Sequence, residues 1–126
     1  MLLDTLEHRW LRAFERVFEL CKVEAGTVVA ILSESQSRPQ NRELTRLALA
    51  RLGANSFDVI VPTPPQTAPV PVRSTGASQA LNGHAAALAA LKASTVVIDL
   101  TVEGLLHAPQ LPEILGAGAR VLMVSK

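Results

Sequence analysis

Four short apolar runs constrain this chain more than any other feature. Residues 27–32 (TVVAIL), 57–61 (FDVIV), 95–100 (TVVIDL) and 120–124 (RVLMV) are bounded by turn residues and separated by helix- or loop-length segments. They mostly lack the polar alternation of a strand with one wet face. A strand buried on both faces reads this way, as in a parallel sheet covered by helices on each side. The chain then reads helix, strand, helix, strand, loop, helix, strand, short helix, strand. Right-handed crossovers distribute such helices over both faces. The expected fold class is α/β: three layers, with a mostly parallel sheet of about four strands flanked by helices, Rossmann-like in topology.

The segments between the runs support this order. Residues 3–21 carry Leu3, Leu6, Trp10, Ala13, Phe14, Val17 and Cys21 at three- and four-residue steps, an amphipathic helix whose face should pack on something. Trp10 and Phe14 are expected in the core, with a pocket wall or a contact with a further domain as the alternative. A second helix begins near Ser37. Ser37 and Gln40 have the spacing of a capping box, and Pro39 is tolerated in the first turn. Its buried face is expected at Leu44, Leu47, Ala48 and Leu52, and Gly53 supplies the stop. Residues 62–78 hold Pro62, Pro64, Pro65, Pro69 and Pro71, a long loop of the kind that covers a site or contacts a partner. The alanine-rich run 85–92 is a strong helix former, and residues 112–115 form a brief helix ended by Gly116 and Gly118.

The length of 126 residues fits one domain able to bury a core without disulfides. Ending directly after an apolar strand suggests that residues 1–126 are the N-terminal part of a longer enzyme. A formal net charge of +1 gives no electrostatic reason to expect nucleic acid or an anionic membrane as partner. Cys21 is the only cysteine, which excludes an internal disulfide and CxxC zinc ligation and suits a cytoplasmic protein. The N-terminus is broken by Asp4, Glu7, His8 and Arg9 and does not read as a signal peptide.

The common nucleotide signatures are missing. No GxxxxGK[ST] occurs, and residues 30–37 contain no glycine where a dinucleotide fingerprint needs one. HExxH and G-x-S-x-G are absent as well. His8 reads as a solvated helix residue and His84 as a residue near a helix N-terminus. His107 is the stronger candidate. It follows the third strand, near the carboxyl edge where open sheets place ligands, and histidine suits proton transfer at neutral pH. Asp99, near the end of the third strand, and Glu34, after the first, are expected beside the same edge. A buried carboxylate there needs partners. Glu34, Asp99 and His107 together would rim one cleft.

Thr27-Val-Val-Ala-Ile-Leu-Ser-Glu-Ser-Gln-Ser-Arg-Pro39, the proline loop, and Asp99-Leu-Thr-Val-Glu-Gly-Leu-Leu-His107 resemble the N-terminal part of the 2,5-dihydroxypyridine 5,6-dioxygenases, relatives of M29-type leucyl aminopeptidases. The resemblance runs over nearly the whole chain. It implies an iron(II)-dependent enzyme that opens a dihydroxypyridine ring with dioxygen in nicotinate breakdown. The family's iron ligands, two histidines and a carboxylate, lie in its C-terminal domain and match nothing here, so no metal is expected in this chain and no activity from it alone. The resemblance places Leu106 against the pyridine ring and His107 in proton transfer or hydroxyl orientation; Glu34 and Asp99 are expected in the pocket from their own place at the strand ends. The implied partners are a small aromatic substrate and the C-terminal domain, and a homo-oligomer is compatible. Two other readings compete: the equivalent domain of an M29-like metallo-aminopeptidase, and a non-catalytic α/β binding or oligomerisation domain.

Overall fold

Both faces of the central strand are dry, and this organises the molecule. In the computed structural model, which describes residues 2–63 and 80–124 with side chains from residue 8 onward, the order is α1 (Leu2–Leu20), β1 (Val28–Glu34), α2 (Pro39–Arg51), β2 (Asn55–Val61), α3 (Ala85–Lys92), β3 (Val96–Asp99), α4 (Leu111–Gly116) and β4 (Arg120–Met123). The four strands form one sheet in the order β2-β1-β3-β4, and every pairing is parallel. The expected α/β fold is therefore present.

Side chains alternate across the strands, so β1 and β3 each feed two cores. Ala30, Leu32 and Val97 join Leu91 of α3 and Ile114 of α4 on one face. Val29, Ile31, Val96 and Ile98 join Phe18 of α1 and Ala48 and Leu49 of α2 on the other. This two-sided burial explains the apolar runs of β1 and β3, whereas the edge strands β2 and β4 are not buried on both faces as expected: Ile60 is 55% exposed and Met123 36%. β1 runs two residues further than the sequence suggests, because Ser33 and Glu34 stay in register with Ile60 and Val61. The 101–109 stretch forms bends and turns. Most of the proline segment, residues 64–79, lies outside the described residues.

The helix faces differ from expectation. On α1 the packed side chains are Leu11, Phe14 and Phe18, whereas Trp10 is 58% exposed and Val17 44%. The helix carries two apolar stripes, and amphipathic spacing does not say which one the sheet takes. On α2 the buried residues are Thr45, Ala48 and Leu49, and Leu47 is exposed. The capping box is absent. Arg38 is the N-cap and makes no side-chain cap bond, while Pro39 takes the first-turn position. The C-terminus ends as predicted. Gly53 has φ +77°, its N–H donates to the Ala50 carbonyl at 3.1 Å, and the Ala54 N–H donates to the Leu49 carbonyl at 3.0 Å. This pair of bonds is a Schellman motif. No described helix is long and apolar enough to cross a membrane.

Candidate functional site at the carboxyl edge of the sheet

The chain leaves β1 toward β2 on one side, and β3 lies on the other, so the ends of β1 and β3 form a topological switch point, where open α/β sheets bind ligands. The two loops that diverge there are tied together by buried hydrogen bonds. The Ser37 hydroxyl accepts from the Glu34 N–H at 2.8 Å and donates to the Leu100 carbonyl at 2.7 Å. The Ser37 oxygen accepts from the Glu34 N–H rather than from a first-turn amide of α2, and Arg38 stands at the N-cap position, so Ser37 does not cap α2. Thr63, just past β2, fastens the other side. Its hydroxyl accepts from the Gln36 N–H at 2.8 Å, and its N–H donates to the Ser35 hydroxyl at 2.9 Å. Between the β1 and β3 loops lies a cleft of ≈ 220 Å³ lined by Gln36, Ser37, Arg38, Asn41, Leu100, Thr101, Val102 and Val124.

Asp99 and Glu34 occupy this edge from beneath. Both are almost fully buried, at 1% and 2% exposure. Asp99 Oδ1 accepts from the Thr101 hydroxyl at 2.6 Å and the Thr101 N–H at 2.9 Å, and its Oδ2 accepts from the Leu105 N–H at 2.7 Å. Glu34 Oε2 accepts from the Val102 N–H. Each carboxylate thus holds one part of the loop that follows β3. Burial pushes the Asp99 carboxyl above its usual range, and the Thr101 and Leu105 donors pull it back. Burial also raises Glu34; the Val102 N–H lowers it, and the negative charges of Asp99 and Glu103 raise it further.

Two candidate residues stand apart from these carboxylates. Leu106 is 61% exposed, and His107 is exposed beside it, directly after the Leu105 amide that Asp99 anchors. Glu34 and Asp99 therefore lie behind the loop, whereas Leu106 and His107 stand on its outer surface. His8 is exposed, and His84 is the half-buried N-cap of α3 without a side-chain cap bond. The sequence reading missed Ser37, Thr63 and Thr101 as loop clamps. Only Asp99-x-Thr101 carried a signal, since a carboxylate two residues before a free amide favours such a turn.

Among the described residues, no group of three or more His, Cys, Asp or Glu could hold a metal ion. The donors present do not fit an iron site, because both Asp99 oxygens and Glu34 Oε2 are spent on loop N–H and O–H groups.

The comparisons agree with this architecture. The family model described as NicX, 2,5-dihydroxypyridine 5,6-dioxygenase, matches residues 9–126. A 2,5-dihydroxypyridine 5,6-dioxygenase of Pseudomonas putida (strain KT2440) is 32% identical over 112 residues, covering 87% of this chain and 31% of that protein. A solved structure of the 2,5-dihydroxypyridine dioxygenase from Pseudomonas putida KT2440 superposes with a TM-score of 0.83 at 31% identity, covering 95% of this chain and 35% of that one. The chain spans about a third of the length of these relatives. None of these matches carries an aminopeptidase name, so that part of the sequence reading has no support here. The chain belongs to the 2,5-dihydroxypyridine 5,6-dioxygenase family.

Proposed function

We propose that this chain is the N-terminal substrate-pocket domain of an iron-dependent enzyme that opens the ring of 2,5-dihydroxypyridine with dioxygen. The observation that carries the reading is the family match over residues 9–126. In this reading the iron(II) ligands belong to polypeptide outside these residues, and the present chain contributes recognition and proton handling. Leu106 packs on the pyridine ring. His107, exposed at the carboxyl edge, accepts a proton from a ring hydroxyl or orients it. Asp99 acts from behind as a positioning residue, because its Oδ2 holds the amide of Leu105, next to Leu106 in the chain. Glu34 does the same for Val102.

The test is dioxygen uptake with 2,5-dihydroxypyridine and ferrous iron, using the full-length parent protein beside this chain. Uptake by the parent alone is expected. His107→Ala in the parent should lower kcat by about 10²–10⁴-fold, the usual scale for a lost proton-transfer group. Leu106→Ala should act mainly on KM. No uptake by folded, iron-loaded parent protein would overturn the assignment. Unchanged kcat in His107→Ala would remove His107 from the chemistry while leaving the family intact.

A further inference from the structure

The second apolar stripe of α1 has no partner among the described residues. Trp10, Ala13, Val17 and Leu20 are all exposed. They follow one another at steps of three, four and three, the spacing of a coiled-coil seam, and the sequence continues it backward through Leu6 and Leu3. At ~100° per residue this stripe lies roughly a third of a turn from the packed Leu11, Phe14 and Phe18. The opposite flank of the packed face leans on α2, where Arg51 Nε meets Glu15 Oε1 at 2.7 Å. The stripe therefore faces away from α2, toward β4. There it runs into an apolar groove of ≈ 220 Å³ lined by Leu20, Cys21, Val96, Val121 and Leu122. The groove is at the amino end of the strands, remote from the carboxyl-edge site.

Charge decides what fits. Arg9 and Arg16 are exposed and flank the stripe on its outer side, with exposed Arg12 one step further round the helix, and Lys22 and exposed Arg120 bound the groove at its end. Glu19 is the exposed acidic residue of this part of the helix. A second copy of α1 would set arginines beside arginines. The prolines of residues 64–79, with no Asp or Glu among them, suit that segment no better. A polyanion such as nucleic acid would leave the apolar stripe uncovered. The geometry points to an amphipathic α-helix with acidic residues beside its apolar seam, contributed by polypeptide outside these residues, as the occupant of the stripe and groove. In the relatives, about two thirds of the chain lies outside the matched part and has the length to supply it. This inference does not depend on the ring-opening chemistry, and its test reads binding alone.

Trp10 is the only tryptophan and reports directly on the stripe. Two synthetic helical peptides would be titrated into the chain, each with a leucine seam, one flanked by glutamates and the other by lysines. The glutamate peptide is expected to shift Trp10 emission to shorter wavelength and saturate, binding on the order of tenfold tighter than the lysine peptide. The triple variant Arg9→Glu, Arg12→Glu, Arg16→Glu changes only exposed side chains, and its fold is checked by circular dichroism. It should reverse the preference. Equal binding of the two peptides, or no shift with either, would overturn the proposal. So would concentration-dependent dimerisation of the chain alone that shifts Trp10, since the stripe would then belong to a second copy.

Discussion

Burial pushes the carboxyl groups of both Glu34 and Asp99 upward, yet the two should answer differently to the same isosteric change. A carboxyl raised on folding holds more protons in the folded state than in the unfolded one. Its contribution is full below the unfolded value, about 4.3 for Glu, and is lost as pH rises through the folded value. Glu34→Gln removes that loss and keeps an acceptor oxygen for the Val102 N–H. Urea denaturation from about pH 4 to about pH 8 should therefore show a flatter stability profile for the variant, with its advantage growing as pH rises. A profile as steep as that of the unmodified chain would rule Glu34 out as the titrating group. Asp99 has donors on both oxygens. Asp99→Asn must turn an NH₂ toward one of them, and it should cost ~1–3 kcal/mol at neutral pH although a buried charge is removed. An unchanged denaturation midpoint would show that the three donors contribute nothing net.

Elements were legible where one backbone rule decided them and illegible where a neighbour decided. β1 was legible because two-sided burial leaves a mark on every residue of Val29–Leu32, each 0% exposed. The end of α2 was read from Gly53 alone, since the left-handed turn favours glycine. Gly53→Ala should cost ~1–2 kcal/mol by the left-handed penalty, and a Cβ there would also touch Ala25 Cβ at 3.4 Å. Gly53→Asn should lose less, because asparagine tolerates this conformation. Matched denaturation midpoints of Ala and Gly variants would mean the turn relaxes at no cost. By contrast, the start of α2 was illegible, because the Ser37 hydroxyl accepts from the Glu34 N–H and donates to the Leu100 carbonyl, a contact 63 residues away, while Arg38 takes the N-cap position. Spacing along the chain carries no trace of such a competitor. The burial of Thr45 in place of Leu47, and of Phe18 in place of Trp10, has the same origin. A helix with apolar residues on two sides is oriented by what it meets. Likewise, the loop clamps Ser37 and Thr63 appear only once the strands are assembled.

At the scale of the molecule, stability is uneven, and α1 is the least committed of the large elements. β1 is hydrogen-bonded to neighbours on both sides and buried on both faces. β2 and β4 each pair on one side only among the described residues. Among its described side chains, α1 reaches full burial at Phe18, with Leu11 and Phe14 partly covered. Its end is tied to β4 by Arg120 Nη1, which donates to the Cys21 carbonyl at 2.8 Å. Native-state hydrogen exchange should therefore separate the two regions. Amides of Val29–Leu32 and of β3 should exchange only through global unfolding, with a strong urea dependence. Amides of α1 should exchange through a smaller opening at lower free energy, with a weak urea dependence. If α1 exchanged at the global value, its second stripe would contribute nothing to its stability by being covered. If α1 opens first, a helix seated on Trp10, Val17 and Leu20 should raise its protection toward that of the sheet. The stripe left bare by the fold would then be the part of the molecule that a partner completes.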